Sequence, residues 1–271
     1  MIRLIVNADD FGRTPEINVG ILKTFTDGIV SSASLLPNFP AFDQAVEMHR
    51  SHGIPTGIHL NLTEGQPLSP PETVSSLVDA SGSFFQKRSF FVRLLQRRLK
   101  TDEIRIELTA QLQRCKDAGV QLDHMDSHHH IHAAPLVSRI CARLRETFGV
   151  PAVRRISPPV RFRASWPIIE QHLIALIDEA NLGNHTLSVN QFWGFDLMHA
   201  HNKITALLGI LQTLGPGTHE LMCHPGFVSG ESVGAMNETR QREVSALCSY
   251  AARDLLEHRK IALISYNELE S

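Results

Sequence analysis

Apolar positions along the chain follow two rhythms that take turns. Short apolar runs alternate with longer segments in which apolar residues return every three to four positions, and Gly, Pro, Asn and Asp stand between them. Residues 2–8 read as a strand ending in Asn7-Ala8-Asp9-Asp10-Phe11-Gly12. A helix follows, with Thr14 as N-cap, Pro15 at N1, Glu16 in its first turn and Gly28 past its end. Residues 29–37 predict a second strand and 40–52 a helix that stops at Gly53, and Thr56 to Leu62 predicts a third strand. From Gln66 to about Lys100 the pattern breaks at Pro67, Pro70 and Pro71, which predicts an inserted loop or small lid with one basic helix near 89–99. Its Arg97, Arg98 and Lys100 read as a solvated face.

Beyond the insertion the alternation resumes. A helix over 101–118 carries the stripe Ile104, Leu108, Leu112 and Cys115. A strand runs into the histidine-rich segment Leu122 to His132. Pro135 starts a helix striped by Val137, Cys141, Leu144 and Phe148. Ala152 to Ile156 predicts a strand, 167–181 a helix, Asn190 to Phe195 an irregular aromatic stretch and 203–214 a helix. Glu220 to Cys223 predicts a strand, 237–258 one long helix, and Ile261 to Ile264 a last strand. Strands alternating with helices imply parallel strands joined by crossovers. About seven such strands suit an α/β fold of the TIM-like (β/α) barrel type, possibly incomplete. The reactive residues decide against an open sheet. Asp9 and Asp10, His59, Asp126 and His128, and His224 each fall at the C-terminal end of a different strand, where such barrels assemble their sites. No Gly-rich phosphate turn follows the first strand, as a doubly wound sheet would want.

Composition narrows the class. With 271 residues and a formal net charge of −2, residues 1–271 fit a single barrel domain with the insertion at about 66–100. The near-neutral charge argues against a nucleic-acid partner. No transmembrane segment and no signal-length apolar run are read, so a cytoplasmic enzyme is expected. Cys115, Cys141, Cys223 and Cys248 form no C-x-x-C pair, as expected of free thiols in a reducing compartment. Oligomeric state cannot be read, and a homo-oligomer stays open.

Five of the fifteen histidines lie within nine residues, His124 to His132. On an extended segment His124, Asp126, His128, His130 and His132 share one face, while His129 points the other way. Imidazoles and a carboxylate converging at a strand end suit a divalent metal; the plainer alternative is a loop of solvated histidines. Asp9 and Asp10 are adjacent. In a continuing strand they would oppose each other, but a turn before Gly12 would let both face the mouth and divide the work between metal and proton. The plainer alternative for them is helix capping. His59 alone reads more readily as a hydrogen-bonded core histidine than as a ligand, although its place at a strand end favours the ligand, and His224 before Pro225-Gly226 reads alone as a turn histidine. No role is assigned to His130 or His132.

Four segments together resemble the YdjC-like carbohydrate deacetylases: Asn7 to Gly12 (NADDFG), Gly57 to Gly65 (GIHLNLTEG), Asp126 to His132 (DSHHHIH) and Met222 to Gly226 (MCHPG). The resemblance implies a TIM-like barrel, one divalent metal, and hydrolysis of an N-acetyl group from an amino sugar or short oligosaccharide. By motif it implies Asp10, His59 and His128 as metal ligands, Asp9 as general base and His224 as general acid. The metal is expected to be zinc or magnesium, with mixed His and Asp donors suiting zinc. A branch acting on an N-acetylglucosaminyl lipid, such as a hopanoid intermediate, is the alternative within the family. The Asp-Ser before the histidines leans toward the oligosaccharide branch. Outside the family stand a metal-dependent phosphoesterase, for which Arg154 and Arg155 would serve as a phosphate cradle, and a non-catalytic sugar- or metal-binding module.

Overall fold

A computed structural model describes residues 1–157, 189–227 and 235–269. The predicted helix over 167–181 lies outside the described residues. Eight strands form one sheet: β1 (Ile2–Phe11), β2 (Ser32–Leu35), β3 (Thr56–Leu60), β4 (His124–Ser127), β5 (Ala152–Val153), β6 (Gln191–Trp193), β7 (Gly217–Cys223) and β8 (Ile261–Leu263). The strand path is β5-β4-β3-β2-β1-β7-β6, with β8 set against the first half of β1, and every pairing is parallel. The sheet curls as an incomplete TIM-like barrel. Beyond β5, the chain comes back to the other edge through a hydrogen bond from Phe192 N–H to the Ser157 carbonyl, 2.8 Å.

The helices are α1 (Pro15–Thr26), α2 (Phe42–His52), α3 (Lys87–Leu95), α4 (Thr101–Asp117), α5 (Pro135–Phe148), α6 (Phe195–His199), α7 (Lys203–Thr213), α8 (Ala235–Leu247) and α9 (Tyr250–His258). Thr14 caps α1 as its sequence predicts, accepting from Ile17 N–H. Gly53 ends α2 in the left-handed conformation. Two expectations need correction. The aromatic stretch at 190–195 contains β6, paired in register with β7. The single helix expected over 237–258 is two, because the Ser249 hydroxyl accepts from Ala252 N–H and starts α9 afresh. No helix among the described residues is long and apolar enough to cross a membrane.

Strand alternation sorts the residues of β1. Leu4, Val6 and Ala8 face the helices in the main hydrophobic core, where they meet Ile17, Ile58, Leu108 and Leu221. Ile5, Asn7 and Asp9 face the barrel interior. There Ile5 packs with Ala152, Ile264 and Tyr266 and plugs the floor. Above that plug the interior is polar. Asn7, Ser34, His124 and Glu220 form one layer, and Asp9, His59, Asp126 and Arg154 the next, all buried. Gly57 is required at its inward position: a Cβ there would meet the His124 ring at 2.2 Å.

The insertion is built onto the barrel. Leu77, Phe84 and Phe90 are buried in the main core. The fully buried Glu107 of α4 accepts the N–H groups of Leu68 and Ser69 at 3.0 and 2.9 Å, and Glu103 accepts that of Ser76 at 2.6 Å. These carboxylates satisfy backbone that the prolines keep out of regular structure. The free cysteines Cys115, Cys141 and Cys223 are buried, and Cys248 is half-buried.

Candidate metal centre and its surroundings

Because every strand runs the same way, the strand-end residues meet at one mouth. Asp10 Oδ1, His59 Nε2 and His128 Nδ1 converge there: the carboxylate oxygen lies 3.7 Å from His59 and 3.2 Å from His128. Among the described residues, these three form one of two groups of potential ligands whose donor atoms lie within 4.8 Å of one another. The other is Asp9, His59 and Asp126.

The turn expected before Gly12 falls at Asp10. Asp10 itself is left-handed, with φ of 70°, and the β1–β2 register shifts between Ala8 and Phe11. This bulge turns two consecutive side chains to the same side, at a backbone cost of about 1–3 kcal/mol.

Each imidazole of the first group is held from behind by a carboxylate. His59 Nδ1 meets Asp126 Oδ1 at 2.7 Å, as the register pairing of His59 with Asp126 on adjacent strands dictates. His128 Nε2 meets Glu64 Oε2 at 3.0 Å. Burial works against an ionised Asp126, but Arg154 and His59 hold its pKa far below the ordinary carboxylate range. Glu64 is brought to about 2, since His128 and Arg13 outweigh its burial. An ionised carboxylate accepts only, so a neutral ring at either position keeps its N–H behind and turns its other nitrogen toward Asp10. Burial would also raise the Asp10 carboxyl, yet Arg240, His128 and Arg13 keep it well below its usual value. Burial lowers the His128 pKa, but Asp10 and Glu64 raise it to about 9. The two anions favour a proton on both ring nitrogens; a metal held beside Asp10 would displace the proton on Nδ1.

The second group is already committed. Arg154 is wholly buried and binds Asp9 bidentately, Nη1 to Oδ2 at 2.7 Å and Nη2 to Oδ1 at 2.6 Å. Its Nη1 also lies 2.6 Å from Asp126, and its Nε donates to Glu220 at 2.7 Å. Burial disfavours the cation, but Asp126, Asp9 and Glu220 hold its pKa well above normal. Arg154 is therefore neither a phosphate cradle nor a strand-end surface charge. Its position just past β5 is the same strand-end signal that marked His224.

The histidine run obeys the extended parity only as far as Ser127. A short 3₁₀ turn then spans His128–Ala133, with His129 and His130 both left-handed at φ of 55°. His128 stays in the cluster. His129 also lines the pocket, its ring 4.1 Å from that of His128 and its Nδ1 3.0 Å from the Thr63 hydroxyl, outside the ligand cluster. His130 packs edge-on against Phe192 and Phe195. His132 binds Ser127 through Nδ1 at 2.6 Å and meets the Arg154 carbonyl at 3.2 Å, so it braces the loop that carries the arginine. His224 lines the same pocket, and its backbone N–H donates to Glu243 at 2.6 Å. Burial lowers its pKa, with Asp9 pulling the other way, and its Nδ1 is buried without a hydrogen-bond partner among the described residues.

The pocket, about 170 Å³, combines charged lining from Asp9, Asp10, Glu64, Arg13, Lys87 and Arg240 with apolar lining from Phe195, Met198 and Met222. Residue-by-residue reading left Glu64, Arg154, Arg240 and Glu243 without these roles. Glu64 sits within a motif singled out above, but Arg240 and Glu243 lie on α8 and nothing local in sequence marks them.

The YdjC-like protein profile matches residues 3–258. The chain belongs to the YdjC-like family. It is 33% identical over 298 residues to the mouse protein named carbohydrate deacetylase, covering 100% of this chain and 96% of that one. It is 30% identical over 275 residues to the Brevibacillus brevis protein of the same name, covering 99% and 100%. A crystal structure from Enterococcus faecalis, described as that of a proposed cellobiose-phosphate cleavage protein, superposes with a TM-score of 0.80 at 27% identity, over 100% of this chain and 99% of that one.

Proposed function

We propose that this YdjC-like protein is a carbohydrate deacetylase that removes the acetyl group from an N-acetylated amino sugar or short oligosaccharide with the help of one divalent metal. One observation carries the metal. Asp10 Oδ1 is buried without a well-formed hydrogen bond among the described residues, and His59 Nε2 and His128 Nδ1 face it at 3.7 and 3.2 Å. Two imidazoles and one carboxylate, the imidazoles oriented from behind, make a donor set that fits zinc better than an oxygen-preferring cation. The alternative group fits worse, because Asp9 and Asp126 both hold the Arg154 guanidinium, whose positive charge would repel a cation placed between them. A metal held by Asp10, His59 and His128 would polarise the acetyl carbonyl and make water more acidic.

The remaining steps fall to the chain's own groups. Asp9, adjacent to Asp10 and 4.0 Å from His59 Nε2, is placed to accept the proton of the attacking water. Arg154 and Asn7, which donates to Asp9 Oδ1 at 2.9 Å, fix the plane of that carboxylate. His224 rests with a lowered pKa and so as a neutral ring. Negative charge developing on the substrate favours taking a proton from solvent onto this ring, which then gives it to the departing nitrogen, while Asp9 returns the water's proton to solvent. Phe195, Met198 and Met222 offer the methyl group a dry wall.

The phosphoesterase reading loses its cradle, since Arg154 is bound to three carboxylates and is not among the pocket-lining residues. A binding module would have no use for a second carboxylate held beside the ligand set. The test is acetate release from a panel of N-acetylated sugars, measured with the metal-loaded protein and after chelation. Release that survives complete metal removal, or none with any sugar and any metal, sinks the proposal.

A further inference from the structure

The net charge of −2 conceals a strong local asymmetry. Between Lys87 and Lys100 stand six cations, Lys87, Arg88, Arg93, Arg97, Arg98 and Lys100, and no acidic residue lies between Asp79 and Asp102. The segment comprises α3 and the turn after it, and its exposed face is not wholly polar. Leu95 is 83% exposed and Val92 44%, one turn apart on the side that carries Arg88. The opposite side, with Phe90 buried and Leu94 half-buried, holds the helix to the core.

Beside Leu95 runs a groove of about 680 Å³ with Leu99, Pro135 and Leu136 in its walls and Arg97 and Arg139 at its edges. Pro135 opens α5 directly after the His128–Ala133 turn, and Lys87, at the start of α3, lines the catalytic pocket. The patch therefore adjoins the mouth of the barrel.

We propose that this face docks on an anionic lipid surface. An exposed leucine and an apolar groove ringed by guanidinium groups have the composition of an interfacial helix, with apolar side chains entering the acyl boundary and cations on the headgroups. Charge selects this occupant over a second copy of the chain. A two-fold contact brings the same patch against itself, which would set arginine against arginine. A nucleic acid would use the cations but would leave Leu95 and the groove without a role. The docking does not depend on which sugar the pocket accepts.

The experiment is flotation of the whole chain with vesicles of phosphatidylcholine alone and with about one-third phosphatidylglycerol, at low and high salt. Binding is expected only to the anionic vesicles and should weaken with salt. Arg88→Glu/Arg98→Glu should lower partitioning by at least about 25-fold, taking roughly fivefold for each cation lost. Leu95→Glu should lower it by about tenfold. All these positions are exposed, so melting temperature and deacetylation of a soluble sugar should stay at wild-type values. No flotation with anionic vesicles overturns the proposal, as does equal flotation with neutral ones. It also falls if Leu95→Glu binds as well as wild type, which would mean adsorption by charge alone. Self-association that Leu95→Glu abolishes, without vesicle binding, would assign the face to a second copy instead.

Discussion

Replacing Asp9 by asparagine separates the two adjacent aspartates, and the surroundings of Arg154 set the size of the effect. The wild-type carboxylate accepts from Arg154 through both oxygens, and from Asn7 on Oδ1. An asparagine can keep the contacts at Oδ1, but its amide then turns N–H groups toward Arg154 Nη1, donor against donor. One charge-assisted hydrogen bond is lost, worth about 1.5–3 kcal/mol. The larger penalty of about 3–5 kcal/mol for an orphaned buried charge is not reached, because Nη1 retains Asp126 and Nε retains Glu220. A loss of about 2 kcal/mol in a chain of this size lowers Tm by roughly 4–8 °C. Turnover should fall further than stability, by about 10²–10⁴, because an amide accepts no proton. Asp10→Asn should do the converse: it weakens the metal site, and excess metal should restore part of its activity. The assay combines metal content by elemental analysis, acetate release at saturating metal, and thermal unfolding of both variants. An Asp9→Asn protein that folds, holds its metal and keeps turnover within tenfold of wild type would refute the assignment of the base. If Asp9→Asn is the metal-poor variant that added metal rescues, the two roles are exchanged.

Asp126→Asn should weaken metal affinity by about 10–100-fold, because His59 loses the ionised acceptor that fixes its tautomer; an unchanged titration with zinc would show that the support is dispensable. The insertion should influence substrate choice through Lys87, its contribution to the pocket lining, so Lys87→Ala should reorder a panel of acetylated sugars while metal affinity stays constant, and an unchanged order counts against the idea. His124 predicts a pH dependence of stability. Burial lowers its pKa, but Asp123, with Asp126 and Glu220, raises it above the ordinary 6.5. Its stabilising contribution is therefore complete below that value and is lost as pH rises through the folded-state pKa. The urea midpoint of wild type should fall relative to that of His124→Gln from about pH 6.5 upward, and parallel curves would refute the charged ring. The hydrogen bonds agree with that charge. Ser34 gives its proton to Asp126 at 2.8 Å, so His124 Nε2, 3.0 Å from the same hydroxyl, acts as a donor, while Nδ1 faces Asp123 at 2.6 Å.

Much of the fold was legible in sequence because its causes are local. Parallel strands joined by helices follow from short apolar runs between longer periodic ones, and Thr14, Pro15 and Gly53 mark helix ends by their own backbone preferences. The convergence of Asp10, His59 and His128 followed from the same pattern, since parallel strands bring their C-terminal ends to one mouth whatever their order. β6 escaped because three residues are too few to show a period. The break between α8 and α9 escaped because a serine inside an apolar stripe looks like any polar position until its hydroxyl is seen to cap a new turn.

Tertiary structure alone decided how the site is held. The left-handed Asp10 and the 3₁₀ turn after Ser127 interrupt strand parity, and a period-two argument has no means of seeing where the period stops. Alternation sends His129 to the far face, but a left-handed turn of the backbone brings it to the pocket lining beside His128. Arg154 is a buried cation only because Asp9, Asp126 and Glu220, distant in sequence, surround it; in one dimension it is an arginine after a two-residue strand. Arg240 and Glu243 reach Asp10 and His224 from a helix more than two hundred residues beyond the first strand. Local sequence sets backbone preference and strand-end position, but the charge state of a buried group depends on neighbours that only the packed barrel brings within hydrogen-bonding distance.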